Sequence, residues 1–139
     1  MANINRIDVQ VWTGSKNGAG TDGDVYVAVA GREFYVDSSA NDFERGSTRT
    51  YTLGTAANVR YAAYNDPRSP QLKTEDLAKY PVYIRFEPYG VGPDWNLERI
   101  VITVNPGPSQ VVYDNLRIAG TPDLWLGQKY GKVLYLDRK

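Results

Sequence analysis

The chain reads as an all-β protein, a two-sheet sandwich or barrel made of short strands. Three observations point there. Apolar residues recur at every second position in several stretches, the period at which successive side chains fall on opposite faces of a strand. Glycine and proline break these stretches at short intervals. Eleven tyrosines and many valines supply the aromatic and β-branched side chains that pack well on a pleated surface.

The elements follow in order. Ile7, Val9 and Val11 alternate with Asp8, Gln10 and Trp12, and Val25, Val27 and Val29 alternate with Tyr26, Ala28 and Ala30. Both runs predict half-buried strands that end near glycine. Further strands are expected at 33–36, 48–53, 59–64, 82–87, 99–104 and 110–118, with turn residues between them. An insert at about 65–81 interrupts the series. Asn65-Asp66-Pro67-Arg68-Ser69-Pro70 is turn-rich, and Lys73 to Tyr80 predicts one or two helical turns, with Thr74 as N-cap and Pro81 as the stop. The insert reads as a surface insertion, with a contact surface peculiar to this protein as the alternative. An extra strand is expected at about 130–137, where Val133 and Tyr135 alternate with Leu134 and Leu136.

At 139 residues the chain is expected to form one domain, 1–139, able to bury a core without staples. Sixteen basic and sixteen acidic residues leave no net charge, so no global field draws in nucleic acid. No segment has the length or apolarity of a signal peptide or a membrane span, and a soluble chain is expected; its compartment is left open. The absence of histidine and cysteine removes the usual general base, the thiol nucleophile and imidazole metal ligands. Gly14-Ser15-Lys16-Asn17-Gly18 lacks phosphate-loop spacing, so the chain is expected not to be an enzyme.

Oxygen-rich loops carry the most specific chemistry. Gly18-Ala19-Gly20-Thr21-Asp22-Gly23 and Asn41-Asp42-Phe43-Glu44-Arg45-Gly46 offer the carboxylates of Asp22, Asp42 and Glu44, the amide oxygen of Asn41, and main-chain carbonyls at Gly20 and Thr21. A hard cation such as Ca²⁺, which takes roughly 6–8 oxygens in flexible geometry, suits that set. Asp, Asn and Gly also serve ordinary turns, so composition alone leaves both readings open.

Four segments in this order, Val11-Trp12-Thr13-Gly14, Gly18 to Val27, Asn41 to Thr48 and Gly92 to Ile100, resemble the PLAT domain, the lipoxygenase-homology or LH2 module also found in alpha-toxin-type phospholipases, pancreatic-type lipases and polycystins. The resemblance implies an eight-stranded antiparallel β-sandwich with a short helical insert, acting as a non-catalytic targeting module that binds calcium and then a protein or a membrane. It places calcium ligands at Gly20, Thr21, Asp22, Asn41, Asp42 and Glu44, with Asp94 as a further candidate, and packs Trp12, Phe43, Trp95 and Trp125 in or against the core. In lipoxygenase-type members, loops carrying bulky apolar residues meet the lipid interface. Here the matching tips offer only Lys16, Tyr89 and Val91, which ranks a protein partner above an anionic lipid surface. Self-association through edge strands, using the arm before Ile7 or the tail 127–136, is the third reading.

Overall fold

Period-two patterning becomes β1 (Arg6–Thr13), in which Ile7, Val9 and Val11 are buried and their neighbours face outward. The computed structural model describes residues 2–88, 94–118 and 123–139. Downstream lie β2 (Asp24–Val29), β3 (Arg32–Tyr35), β4 (Thr48–Gly54), β5 (Tyr83–Glu87), β6 (Trp95–Val104), β7 (Val111–Asp114), β8 (Trp125–Leu126), β9 (Val133–Tyr135) and β10 (Asp137–Arg138). They form two antiparallel sheets. The larger runs β10-β7-β6-β1-β4, with β8 added to the start of β6, and the smaller runs β3-β2-β5-β9. The core lies between them, from Ile7, Val9, Ile100 and Ile102 on one side to Val25, Val27, Ile84 and Phe86 on the other. The expected antiparallel sandwich is therefore the observed one.

Three local expectations are corrected. Residues 59–64 are not a strand: Tyr61 adopts a left-handed conformation at φ 55° and a 3-10 turn follows at Ala62–Asn65. Paired alanines favour helical backbone over strand, and the segment's groups are taken up otherwise, with Arg60 N donating to Asp37 O at 2.9 Å. The last predicted strand shortens to β7 because the Asn115 side chain, 2% exposed, accepts from Ile100 N at 3.1 Å and takes the place of the next ladder bond. Thr74 does not cap its own turn. The 3-10 turn Thr74–Ala78 has Lys73 at its N-cap, and Thr74 Oγ1 accepts instead from Ala2 N at 3.1 Å. Of the expected core aromatics, Trp95 and Phe43 are buried, whereas Trp125 is half-buried and Trp12 lies on the outer face with the Arg99 guanidinium 5.1 Å from its ring.

The segment after β4 seals the open side of the sandwich. Asn58 acts as a false strand beside β4, its Oδ1 accepting from Thr52 N at 2.8 Å and its Nδ2 donating to Thr50 O at 3.0 Å. Asn65 ties the end of β3 to the following turn, accepting from Tyr35 N at 2.7 Å and donating to Tyr61 O at 3.0 Å. Part of each strand edge is thereby engaged within the chain, where an open edge could recruit another strand. The N-terminal arm is likewise engaged, with Ile4 N donating to Leu72 O at 2.8 Å. On the opposite side the tail leaves the smaller sheet as β9, buries Leu136, and joins the larger sheet as β10.

The two asparagines differ in depth, and a contrast follows. Asn65 is 6% exposed, so Asn65→Ala empties a buried position, leaves the part-buried Tyr35 N–H without its acceptor and is expected to cost about 1–3 kcal/mol. Asn58 is exposed, so water replaces its amide and Asn58→Ala is expected to cost under about 1 kcal/mol. Urea unfolding of the two variants checks the order.

Candidate functional site

An aromatic cluster carries the two oxygen-rich loops. Trp95 is fully buried, its Nε1 donates to Thr13 Oγ1 at 3.0 Å, and its ring meets Phe43 at 5.1 Å and Phe86 at 5.7 Å between centroids. Phe43 also packs on Tyr51 at 5.4 Å. These contacts hold Phe43 at φ 57°, a left-handed conformation that costs a non-glycine residue about 1–2 kcal/mol. The loops then touch directly, Thr21 N donating to Phe43 O at 3.1 Å. Gly20 lies so close that an added Cβ would stand 2.9 Å from Arg45 N, which is why the contact needs glycine.

Two cavities of about 250 Å³ each open on either side of this junction. The first is lined by Thr21, Asp22, Asp24, Asn41 and Asp42, together with Asp37. The second is lined by Gly18, Gly20, Thr21, Asp22, Glu44 and Arg45. Asp22 borders both. The structure thus brings Asp22, Asn41 and Asp42 to one cavity and Asp22 with Glu44 to the other, and among the described residues no three acidic side chains converge at metal-ligand spacing. Asp94 packs instead against the α-carbon of Gly127 beside β8. Lys16 is held by Asp123 at 2.6 Å, while Tyr89 and Val91 lie outside the described residues.

Asp42 is bound firmly by its own surroundings. At 9% exposure its Oδ1 accepts from Ser38 Oγ at 2.6 Å and Tyr51 Oη at 2.9 Å, and its Oδ2 accepts from Ser38 N at 2.7 Å. Burial works to raise its carboxyl, but the Ser38 and Tyr51 donors outweigh it and hold the group below the ordinary carboxylate value. Tyr51 is driven the other way, its hydroxyl pushed up first by burial and then by the Asp42 carboxylate it serves.

Sequence reading missed Asp37. It follows β3, where an aspartate looks like a turn residue, and only the fold shows it facing the Asp42 carboxylate. Burial and then Asp42 push the Asp37 carboxyl above its ordinary value, with Arg60 at 3.6 Å opposing. Asp24 also lines the cavity, accepting from Tyr35 Oη at 2.9 Å. The first cavity therefore gathers side-chain oxygens around the neighbouring Asp37 and Asp42 carboxyls. Glu44, exposed and in the other cavity, is separated from that pair.

A carboxyl with a depressed folded pKa contributes stability above its unfolded value, near 4, and loses it as pH falls through the lower folded value. Tyr51→Phe removes one donor to Asp42 and is expected to cost about 1.5–3 kcal/mol at pH 7. Its deficit against wild type should shrink as the pH is lowered from about 4 toward 2 in denaturant titrations.

A model of the PLAT/LH2 domain matches residues 7–118. No curated protein matches. Among solved structures, alpha toxin from Clostridium absonum is similar at 22% identity and TM-score 0.63, over 97% of this chain and 32% of that one. Coral 8R-lipoxygenase, described as calcium-activated through a C2-like domain, is similar at 22% identity and TM-score 0.60, over 96% of this chain and 17% of that one. Clostridium perfringens alpha-toxin from an avian strain follows at 23% identity and TM-score 0.54, over 99% and 31%. The chain spans a third or less of the length of each.

Proposed function

The chain belongs to the PLAT/LH2 domain family, and from that premise we propose that it is a non-catalytic, calcium-responsive module that recruits a protein partner. The observation that carries the reading is the Asp37–Asp42 pair, two neighbouring carboxyls facing a cavity that Asp22 and Asn41 also line. Holding such a pair without a counter-ion costs mutual repulsion, which Arg60 at 3.6 Å and Arg49 at 3.8 Å offset only in part. Calcium would be held by Asp22, Asp37 and Asn41, with Asp42 contributing through Oδ2, the oxygen that accepts the single Ser38 N–H bond. Glu44 with the carbonyls of Gly20 and Thr21 would serve the second cavity. The bound ion supplies positive charge and fixes the two loops relative to one another. Few carboxylates in an open setting suggest an affinity of about 10⁻⁶–10⁻³ M.

Lipid is the second reading, since calcium can bridge loop carboxylates to a phosphate. Lys16 is tied to Asp123, so it adds little attraction for an anionic surface, which favours a protein target.

Thermal unfolding with calcium or chelator tests the metal. Wild type is expected to gain roughly 2.7 kcal/mol at calcium a hundredfold above Kd, and Asp22→Ala to lose most of that gain. Asp37→Asn removes the repulsion, so it should raise calcium-free stability while reducing the calcium response. Glu44→Ala, on the other cavity, should retain most of it. No shift of the wild-type midpoint at millimolar calcium would remove the cation from the account. Cosedimentation with anionic vesicles, if calcium-dependent, would put lipid ahead of protein.

A further inference from the structure

The turn after β1 holds a sequence pair that neither the core nor the cation reading uses. Among the chain's asparagines only Asn17 is followed by glycine. Both residues are exposed, in a turn closed by Ala19 N donating to Lys16 O at 3.0 Å. Among the described residues, neither the Asn17 amide nor Gly18 N has a hydrogen-bond partner. Gly18 sits at φ 74°, a region that glycine occupies without steric cost, and nothing lies within 4 Å of where a Cβ on it would stand. A side-chain amide carbon is thus tethered next to a bare backbone nitrogen, with open space beside that nitrogen.

Asparagine amides are among the heat-labile groups of proteins, and the fold singles this one out. Asp22-Gly23 is the chain's one aspartate–glycine pair, with the same reach from side-chain carbon to following nitrogen. There Gly23 N donates to Thr21 Oγ1 at 3.0 Å, and a Cβ on Gly23 would stand 2.4 Å from Phe86 Cε1. That nitrogen is committed and its surroundings are packed. The amides of Asn58, Asn65 and Asn115 are held by main-chain groups, and each is followed by a residue whose side chain crowds the next nitrogen.

We infer that Asn17 is a site of spontaneous modification in the folded chain, where Gly18 N attacks Asn17 Cγ and closes a five-membered succinimide. The new bond joins Gly18 N to Cγ. Asn17 Nδ2 leaves as ammonia, taking up the proton that Gly18 N gives up. Solvent water then opens the ring. Cleavage between Cγ and the nitrogen restores the backbone and leaves aspartate; cleavage between the main-chain carbonyl and the nitrogen leaves isoaspartate, with the chain routed through the former side chain. No oxidant, enzyme or cation takes part, so the chemistry stands apart from the calcium reading. Either product places a carboxylate beside Gly18, which lines the second cavity with Asp22 and Glu44, while the adjacent Lys16 is held by Asp123. A chain of no net charge becomes anionic, and the added charge falls on the loop end.

Storage of the full chain in warm, mildly alkaline buffer with chelator, followed by isoelectric focusing and peptide mass mapping, tests it. An acidic species is expected to accumulate, its modified peptide spanning Asn17 and carrying isoaspartate that an isoaspartyl methyltransferase labels. Surface loops open at close to no free-energy cost, so the native rate should lie within about tenfold of the rate in urea. Asn17→Gln, which would need a larger ring, should lose the acidic species and keep the wild-type thermal midpoint. At Asp22, isoaspartate should form in urea and not in native buffer. The inference is overturned if the native chain stays unmodified at Asn17, if the acidic species forms undiminished in Asn17→Gln, if aspartate forms at Asn17 without isoaspartate, or if Asp22 isomerises as fast as Asn17 in the native state.

Discussion

Burial of Trp95 between Phe43 and Phe86 is the constraint on which the loop end of the molecule depends. The indole closes one end of the core and, through Phe43, reaches the acidic loop; through Tyr51, Phe43's other neighbour, it reaches the Asp42 carboxylate. A loop that would otherwise be a solvated turn becomes an extension of the hydrophobic interior. The left-handed backbone at Phe43 is tolerated because its ring is buried, and with it the loop turns Asp42 inward while Glu44 stays in solvent. Core packing thus determines which carboxylates share a cavity.

The same economy appears at the sheet edges. A sandwich of two open sheets has four edge strands; here an asparagine amide imitates a neighbouring backbone along β4, and a second takes one N–H of β3. Asparagine suits this because its side chain carries one donor and one acceptor in nearly the geometry of a peptide group. The insert is consequently part of the fold's closure, and Asn65, within it, is among the buried polar residues.

Strand patterning was readable from period-two alternation wherever one face was buried, as in β1 and β2, and there the boundaries fell close to the observed ones. It failed at 59–64, where Tyr61 turns left-handed and Ala62–Asn65 form a 3-10 turn, and at 115–118, where Asn115 took over the ladder. The second is a long-range event, a bond to Ile100, that no local window contains. The loops that meet at the candidate site were visible through motif resemblance, and Asp22, Asn41 and Asp42 do line one cavity. Their partner Asp37 was not visible, because its proximity to Asp42 comes from the turn that Ser38 closes on the Asp42 carboxylate. The separation of Glu44 was hidden because the left-handed Phe43 stands between it and Asp42.

One feature of the tail bears on how the two layers hold together. Residues 133–138 belong to both sheets in turn, and Leu136 between them enters the core with its amide donating to Val82 O at 2.9 Å. The layers are therefore laced at that side by a continuous length of chain, so they cannot slide or part there without first withdrawing a core leucine. The opposite flank is joined instead by the segment between β4 and β5, whose Asn58 and Asn65 amides bond to β4 and β3 in turn.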